Sequence, residues 1–150
     1  MTKLASAFGD TNALRTKSFV LGGHTFKIRV PLSKEMEAIQ ERISSTNLEI
    51  LAERFGKMTE PFRSNPTEDV VITDNDVVVD GRSSKELVKT IHLMENRITE
   101  YVKLLIPENG SLDDITYEDI EAEWPLQVQF ELIEKIVEAI QPGYKDTRKN

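Results

Sequence analysis

The sequence predicts an α+β fold, mostly helical, with an N-terminal β-hairpin packed on a helical bundle. Three observations predict it. Apolar and polar residues alternate strictly on both sides of Gly22-Gly23. Apolar residues recur at spacings of three and four behind Ser33, Ser83 and Pro125. Two β-branched runs, Val70 to Ile72 and Val77 to Val79, flank a polar Thr73-Asp74-Asn75-Asp76 stretch. Period two marks a half-buried strand and period 3.6 a half-buried helix.

Residues 1–16 show weak periodicity and read as a loose arm, with room for a short helical turn near Leu4 to Phe8. The segment 17–143 reads as a single domain, and 144–150 as a basic tail. In the first strand Phe19 and Leu21 alternate with Ser18 and Val20. In the second, Phe26, Ile28 and Val30 alternate with Lys27 and Arg29. Gly22-Gly23 supplies the positive φ of a tight hairpin turn. Pro31 ends the strand by removing a ladder donor. Ser33 is placed to cap a helix with Glu35 in its first turn, and Met36, Ile39 and Ile43 form its stripe.

Ser44-Ser45-Thr46-Asn47 weakens or breaks that helix, and Asn47 suits the cap of a second one. Leu48, Leu51, Phe55 and Met58 carry the new stripe, with Gly56 and Pro61 expected to end it and a loop to follow to Pro66. The stretch 69–80 is either a second short hairpin or an ordered loop flap, closed by Asp80-Gly81. Ser83 and Glu86 have capping-box spacing. Behind them Leu87, Ile91, Met94, Ile98, Val102 (or Tyr101) and Leu105 form a long stripe, stopped by Pro107-Glu108-Asn109-Gly110. Thr116, with Asp119 three residues on, caps a short helix over 117–123. Pro125 suits the first position of a last helix. There Leu126, Phe130, Ile133, Val137 and Ile140 sit at spacings of four, three, four and three, and Pro142-Gly143 closes the helix.

At 150 residues the chain can bury a core without staples. It has no Cys, which excludes disulfides and thiolate metal sites and fits a reducing compartment. No apolar run approaches the roughly 20 residues that span a bilayer, and the N-terminus lacks the apolar core of a secretory signal. The expectation is a soluble, cytoplasmic protein without a membrane partner. The net charge of −7 repels phosphates and argues against nucleic acid. The charge is uneven: Glu108 to Glu134 holds nine acidic residues and no Lys or Arg, while the ending GYKDTRKN is basic. An acidic stretch is usually a solvated face. The sharper reading is a docking face for a basic partner.

Catalytic and metal chemistry finds little footing. Asp74, Asn75, Asp76, Asp80 and Gly81 suggest a calcium loop. A loop starting at Asp74, however, puts Val79 and Lys85 where Gly and Glu belong. Turn chemistry is the better account. His24 lies beside the hairpin turn and His92 on a distant helix, with no HExxH. No GxSxG elbow, GxGxxG or Walker loop is present. Asp113-Asp114 and Glu118-Asp119 could do acid–base work in principle, but solvation and capping explain them better. The expectation is no enzyme, no cofactor and no metal. Trp124, the single Trp, is either a core anchor between two helices or an exposed partner anchor. Trp124, Leu126, Phe130, Glu121 and Glu123 are the candidate partner-binding residues.

Several segments together resemble the tail assembly chaperones of long-tailed, siphophage-type bacteriophages. They are the strand pair KSFVLGGHTFKIRV, the helix start LSKEMEAI, the long helix ELVKTIHLMENRITEYVKLLI and the ending DDITYEDIEAEWPLQVQFELIEKIVEAIQPG. The resemblance covers residues 17–143 and is one of pattern and order. The stretch 68–80 is not expected in every member. The resemblance implies a non-catalytic factor of the host cell cytoplasm, absent from the mature virion. Such a factor binds the tape measure protein, keeps it soluble and helps recruit tail tube protein. It also implies a frameshifted longer form of the same chain as a further partner. The sequence leaves the oligomeric state open. Two other readings compete: a structural virion subunit such as a tail terminator or connector, and a small regulatory protein-binding module. The second requires a basic recognition helix, against which the acidic C-terminal helices argue.

Overall fold

The computed structural model describes residues 3–141, which form an α+β fold, mostly helical, with two small antiparallel sheets. The chain gathers into two compact units, one of residues 1–40 and 98–150, the other of residues 41–97. The unit boundaries fall inside two helices. The expected basic tail 144–150 and the Pro142-Gly143 helix stop lie outside the described residues.

The first unit opens with α1 (Lys3–Phe8), which buries no residue, and a 3-10 turn (Asn12–Arg15). The hairpin follows as β1 (Thr16–Leu21) and β2 (His24–Arg29), in the register Phe19 to Phe26 and Leu21 to His24. Gly22 and Gly23 both take positive φ (59° and 77°), which matches the turn to the right-handed twist of the strands. The alternation holds: Ile28 is fully buried, Phe19, Leu21 and Phe26 are half-buried, and Val20 is exposed. β1 packs against α6.

The helix α2 (Ser33–Ser44) begins one residue earlier than a Ser33 cap would place it. The Met36 amide donates to the Leu32 carbonyl, and Glu35 Oε1 accepts from the Leu32 amide at 2.9 Å. Leu32 therefore holds the capping position, and Glu35 is the reaching half of a capping box. The same Glu35 oxygen meets Arg15 Nη2 at 2.6 Å, and Arg15 Nε donates to the Val30 carbonyl. The Leu32 amide first, and the Arg15 charge after burial's opposing effect, hold the Glu35 carboxyl below its ordinary range.

In the second unit Asn47 caps α3 (Leu48–Ser64), its Oδ1 accepting from the amides of Glu49 and Ile50 at 3.0 and 3.3 Å. Gly56 and Pro61 do not end this helix; it runs through both to Ser64. Proline removes one amide but does not stop a helix whose later amides still find carbonyls, and Asn65 N–H donates to the Pro61 carbonyl at 3.0 Å. Leu48, expected in the stripe, is exposed, and Thr59 takes the fully buried place with its hydroxyl on the Phe55 carbonyl.

The stretch 69–80 is a hairpin of β3 (Val70–Ile72) and β4 (Val77–Val79), and Asp80-Gly81 turns it into a third strand, β5 (Arg82–Ser83). Asp80 (φ 52°) and Gly81 (φ 77°) make that second turn. α4 (Ser84–Val102) follows directly. Of its expected stripe, Ile98, Tyr101 and Val102 are buried and Ile91 and Met94 half-buried, but Leu87 at its start is half exposed, and Val88, His92 and, in the first unit, Glu100 are buried beside it. A stripe drawn through apolar residues alone misses a face that includes buried His and Glu.

Back in the first unit, the chain leaves the helix at Val102. Leu105 pairs with Ile28 as an antiparallel bridge and does not continue the helix. Arg29 N–H donates to the Leu104 carbonyl (3.0 Å) and Ile106 N–H to the Lys27 carbonyl (2.8 Å), so this segment extends the hairpin at the outer side of β2. Thr116 and Asp119 form the expected capping box on α5 (Tyr117–Glu123). Pro125 is the N-cap of α6 (Leu126–Ile140), one residue before the expected position. The buried face of α6 is Gln129, Leu132, Ile133 and Ile136; Leu126 and Phe130, expected in its stripe, face out at 47% exposure each.

Candidate functional site

The corner between α5 and α6 is built from one buried amide. Gln129 is 1% exposed, and both ends of its side chain are used. Its Nε2 donates to the Trp124 carbonyl at 2.8 Å, and its Oε1 accepts from the Tyr117 hydroxyl at 2.9 Å. Trp124 N–H in turn donates to the Ile120 carbonyl, closing α5. The residue that carries the indole is thus fixed by its own backbone, and the indole stands half-buried.

Trp124 borders a groove of about 590 Å³. Phe26 from β2 forms one wall, its ring edge-on to the indole at 6.4 Å between centroids. Leu105, Ile106 and Pro107 line the groove from the segment that pairs with β2, and Leu112 from the loop beyond. Phe26 also stacks on Phe19 at 5.5 Å and takes the His24 ring edge-on at 4.6 Å. The polar lining is His24, Thr25, Lys27 and Glu108, and His24 Nε2 lies 3.5 Å from Glu108 Oε1. Leu112 also lines a second, shallower depression with Asp114, Asp119 and Glu123. The apolar groove therefore adjoins an acidic surface.

All nine carboxylates between Glu108 and Glu134 are exposed. Among the described residues, none of them pairs with a Lys or Arg, and Glu108 lies beside the His24 ring. Of the candidate residues named from sequence, Trp124 borders the groove and Glu123 the acidic depression; Glu121 is exposed on α5. Leu126 and Phe130 lie one turn apart on the outward side of α6. Sequence reasoning missed Phe26, Ile106 and Leu112, because the Leu105 pairing that gathers them leaves no local pattern.

Elsewhere Arg42, Ser45, Thr46, Asn47, His92 and Asn96 line an open depression in the second unit. Asn96 Nδ2 donates there to the carbonyls of Ile43 and Ser45, and Asn47 satisfies the start of α3. Asp76, which suggested a calcium loop, instead serves folding. Its Oδ1 accepts from the amides of Val77 and Lys85, and its Oδ2 from the Ser83 hydroxyl. The Ser83 bond first, and those amides after burial's opposing effect, hold the Asp76 carboxyl below its ordinary range. Among the described residues no three His, Asp or Glu side chains gather as a metal site, and no helix is long and apolar enough to cross a membrane.

No family model, curated protein or solved structure matches this chain.

Proposed function

We propose that this protein is a non-catalytic tail assembly chaperone of a long-tailed bacteriophage. In this reading it binds the tape measure protein in the host cytoplasm, keeps it soluble and helps bring tail tube subunits to it. The observation that carries the reading is the coincidence of solvent-reachable apolar side chains and exposed carboxylates in one segment. Trp124, Leu126 and Phe130 present apolar surface within the stretch that holds nine exposed acidic residues. A tape measure protein is long, helical and apolar, and aggregates unless its stripe is covered. An acidic helical protein with apolar side chains at its surface can cover such a stripe, and its charge keeps the complex dissolved. The order of elements along residues 17–143 supports the same family.

The test is co-expression with the tape measure protein encoded beside this chain's gene. The expected result is a marked rise in that protein's soluble fraction and a complex that survives size-exclusion chromatography. Unchanged solubility with a verified partner counts against the reading. Mass spectrometry of purified virions separates it from a structural tail subunit: the chaperone is absent from particles, a terminator or connector is present.

A further inference from the structure

Resting on that partner-binding reading, we propose that the groove beside Trp124 receives a Lys- or Arg-rich amphipathic helix. Bulky apolar residues of that helix would sit between Phe26, Ile106, Leu112 and Trp124, and its cations would meet Glu108, Asp114, Asp119 and Glu123.

Three observations select this occupant. The groove walls are apolar and partly open, with Ile106 36% exposed and Trp124 half-buried, so they have surface left to cover. Leu112 joins the groove to a depression edged by three carboxylates, and Glu108 stands in the groove itself. A ligand filling the groove therefore passes over negative charge that Lys27 offsets only locally. Electrostatic complementarity of this kind sets partner choice and speeds encounter. The net charge of −7 disfavours a second copy of this chain as the occupant. Finally, the outer side of β2 over Lys27 to Arg29 is already paired with Leu104 to Ile106. An extended peptide finds no free ladder there, whereas a helix docking by side chains needs none.

Trp124 is the only Trp, so its emission reports occupancy of the groove. The full chain is titrated with three Trp-free synthetic peptides: a Lys-rich amphipathic helix with a Leu stripe, the same stripe with Glu for Lys, and a scramble of the Lys peptide. The first is expected to bind and shift the emission to shorter wavelength; the other two are expected to leave it unmoved. With a fluorescein-labelled Lys peptide followed by anisotropy, Trp124→Ala weakens binding at least about tenfold. The exposed pair Glu108→Gln and Glu123→Gln weakens it at low salt and flattens its salt dependence. Equal binding of the Glu peptide, or full binding by Trp124→Ala, overturns the assignment. If the tape measure protein is solubilised while Trp124→Ala performs like wild type, the groove assignment fails and the chaperone reading stands. If the Lys peptide binds at Trp124 but the tape measure protein is neither bound nor solubilised, the reverse holds.

Discussion

The Tyr117 hydroxyl donates to Gln129 Oε1 at 2.9 Å, and through that one amide the start of α5 is tied to the first turns of α6. The other end of Gln129 holds the Trp124 carbonyl, so three residues share a partly buried polar link at the corner of the candidate site. Gln129→Leu keeps the volume and leaves the Tyr117 hydroxyl and the Trp124 carbonyl without this partner. A hydrogen bond of this kind contributes about 0.5–1.5 kcal/mol. The urea midpoint should fall accordingly with the slope unchanged, and Trp124 emission should shift as the corner loosens. A midpoint equal to wild type would show that the link adds no stability.

Asn47 offers a simpler prediction. Its side chain satisfies two amides at the start of α3, so Asn47→Ala should destabilise the protein by about 1 kcal/mol. Asn47→Asp keeps the acceptor and should retain wild-type stability. Chemical denaturation of the two variants side by side checks both.

Pro61 sits inside α3, where it supplies no amide to the ladder. Proline in a helix interior costs up to about 3 kcal/mol relative to alanine. Because Pro61 lies in the last turn, where fraying relieves part of that cost, Pro61→Ala should raise stability by about 1 kcal/mol. A lower melting temperature for Pro61→Ala would mean that the ring packs usefully where it stands.

Asp76 predicts an acid-sensitive element in the second unit. A carboxyl depressed in the fold adds stability that is complete above its unfolded pKa, about 3.9 for Asp. That stability is lost as the pH falls through the folded value. Asp76→Ala should therefore melt below wild type at pH 7. The gap should narrow as the pH drops from about 5 towards 3, because wild type is then losing what the variant already lacks. Melting curves that stay parallel across that range would show that Asp76 titrates alike in both states.

Local chemistry was legible in the sequence. Gly22-Gly23, the Asn47 cap and the Thr116–Asp119 box each act through neighbours a few residues away, and each stands where the spacing places it. Faces were less legible. On α4 and α6 the buried rows contain His92, Glu100 and Gln129, so apolar spacing led to Leu87, Leu126 and Phe130, which point outward. Burial of Gln129 and Glu100 depends on partners, Tyr117 for the one and Lys103 for the other. The pairing of Leu105 with Ile28 left no trace, because nothing near either residue announces a contact so distant in sequence. The candidate site was half visible for the same reason: Trp124 stood out by rarity, but the walls that meet it come from the hairpin and from the segment after α4.

That pairing also sets an order of events. The second unit is one uninterrupted run, 41–97, and holds all of its residues once that run has left the ribosome. The first unit needs chain from both sides of it, and its groove needs β2, Leu105 and Trp124 together. Contacts that close long loops form late. The groove beside Trp124 thus closes only late in synthesis, and an incomplete chain carries every residue of 41–97 before it can bring the walls of that groove together.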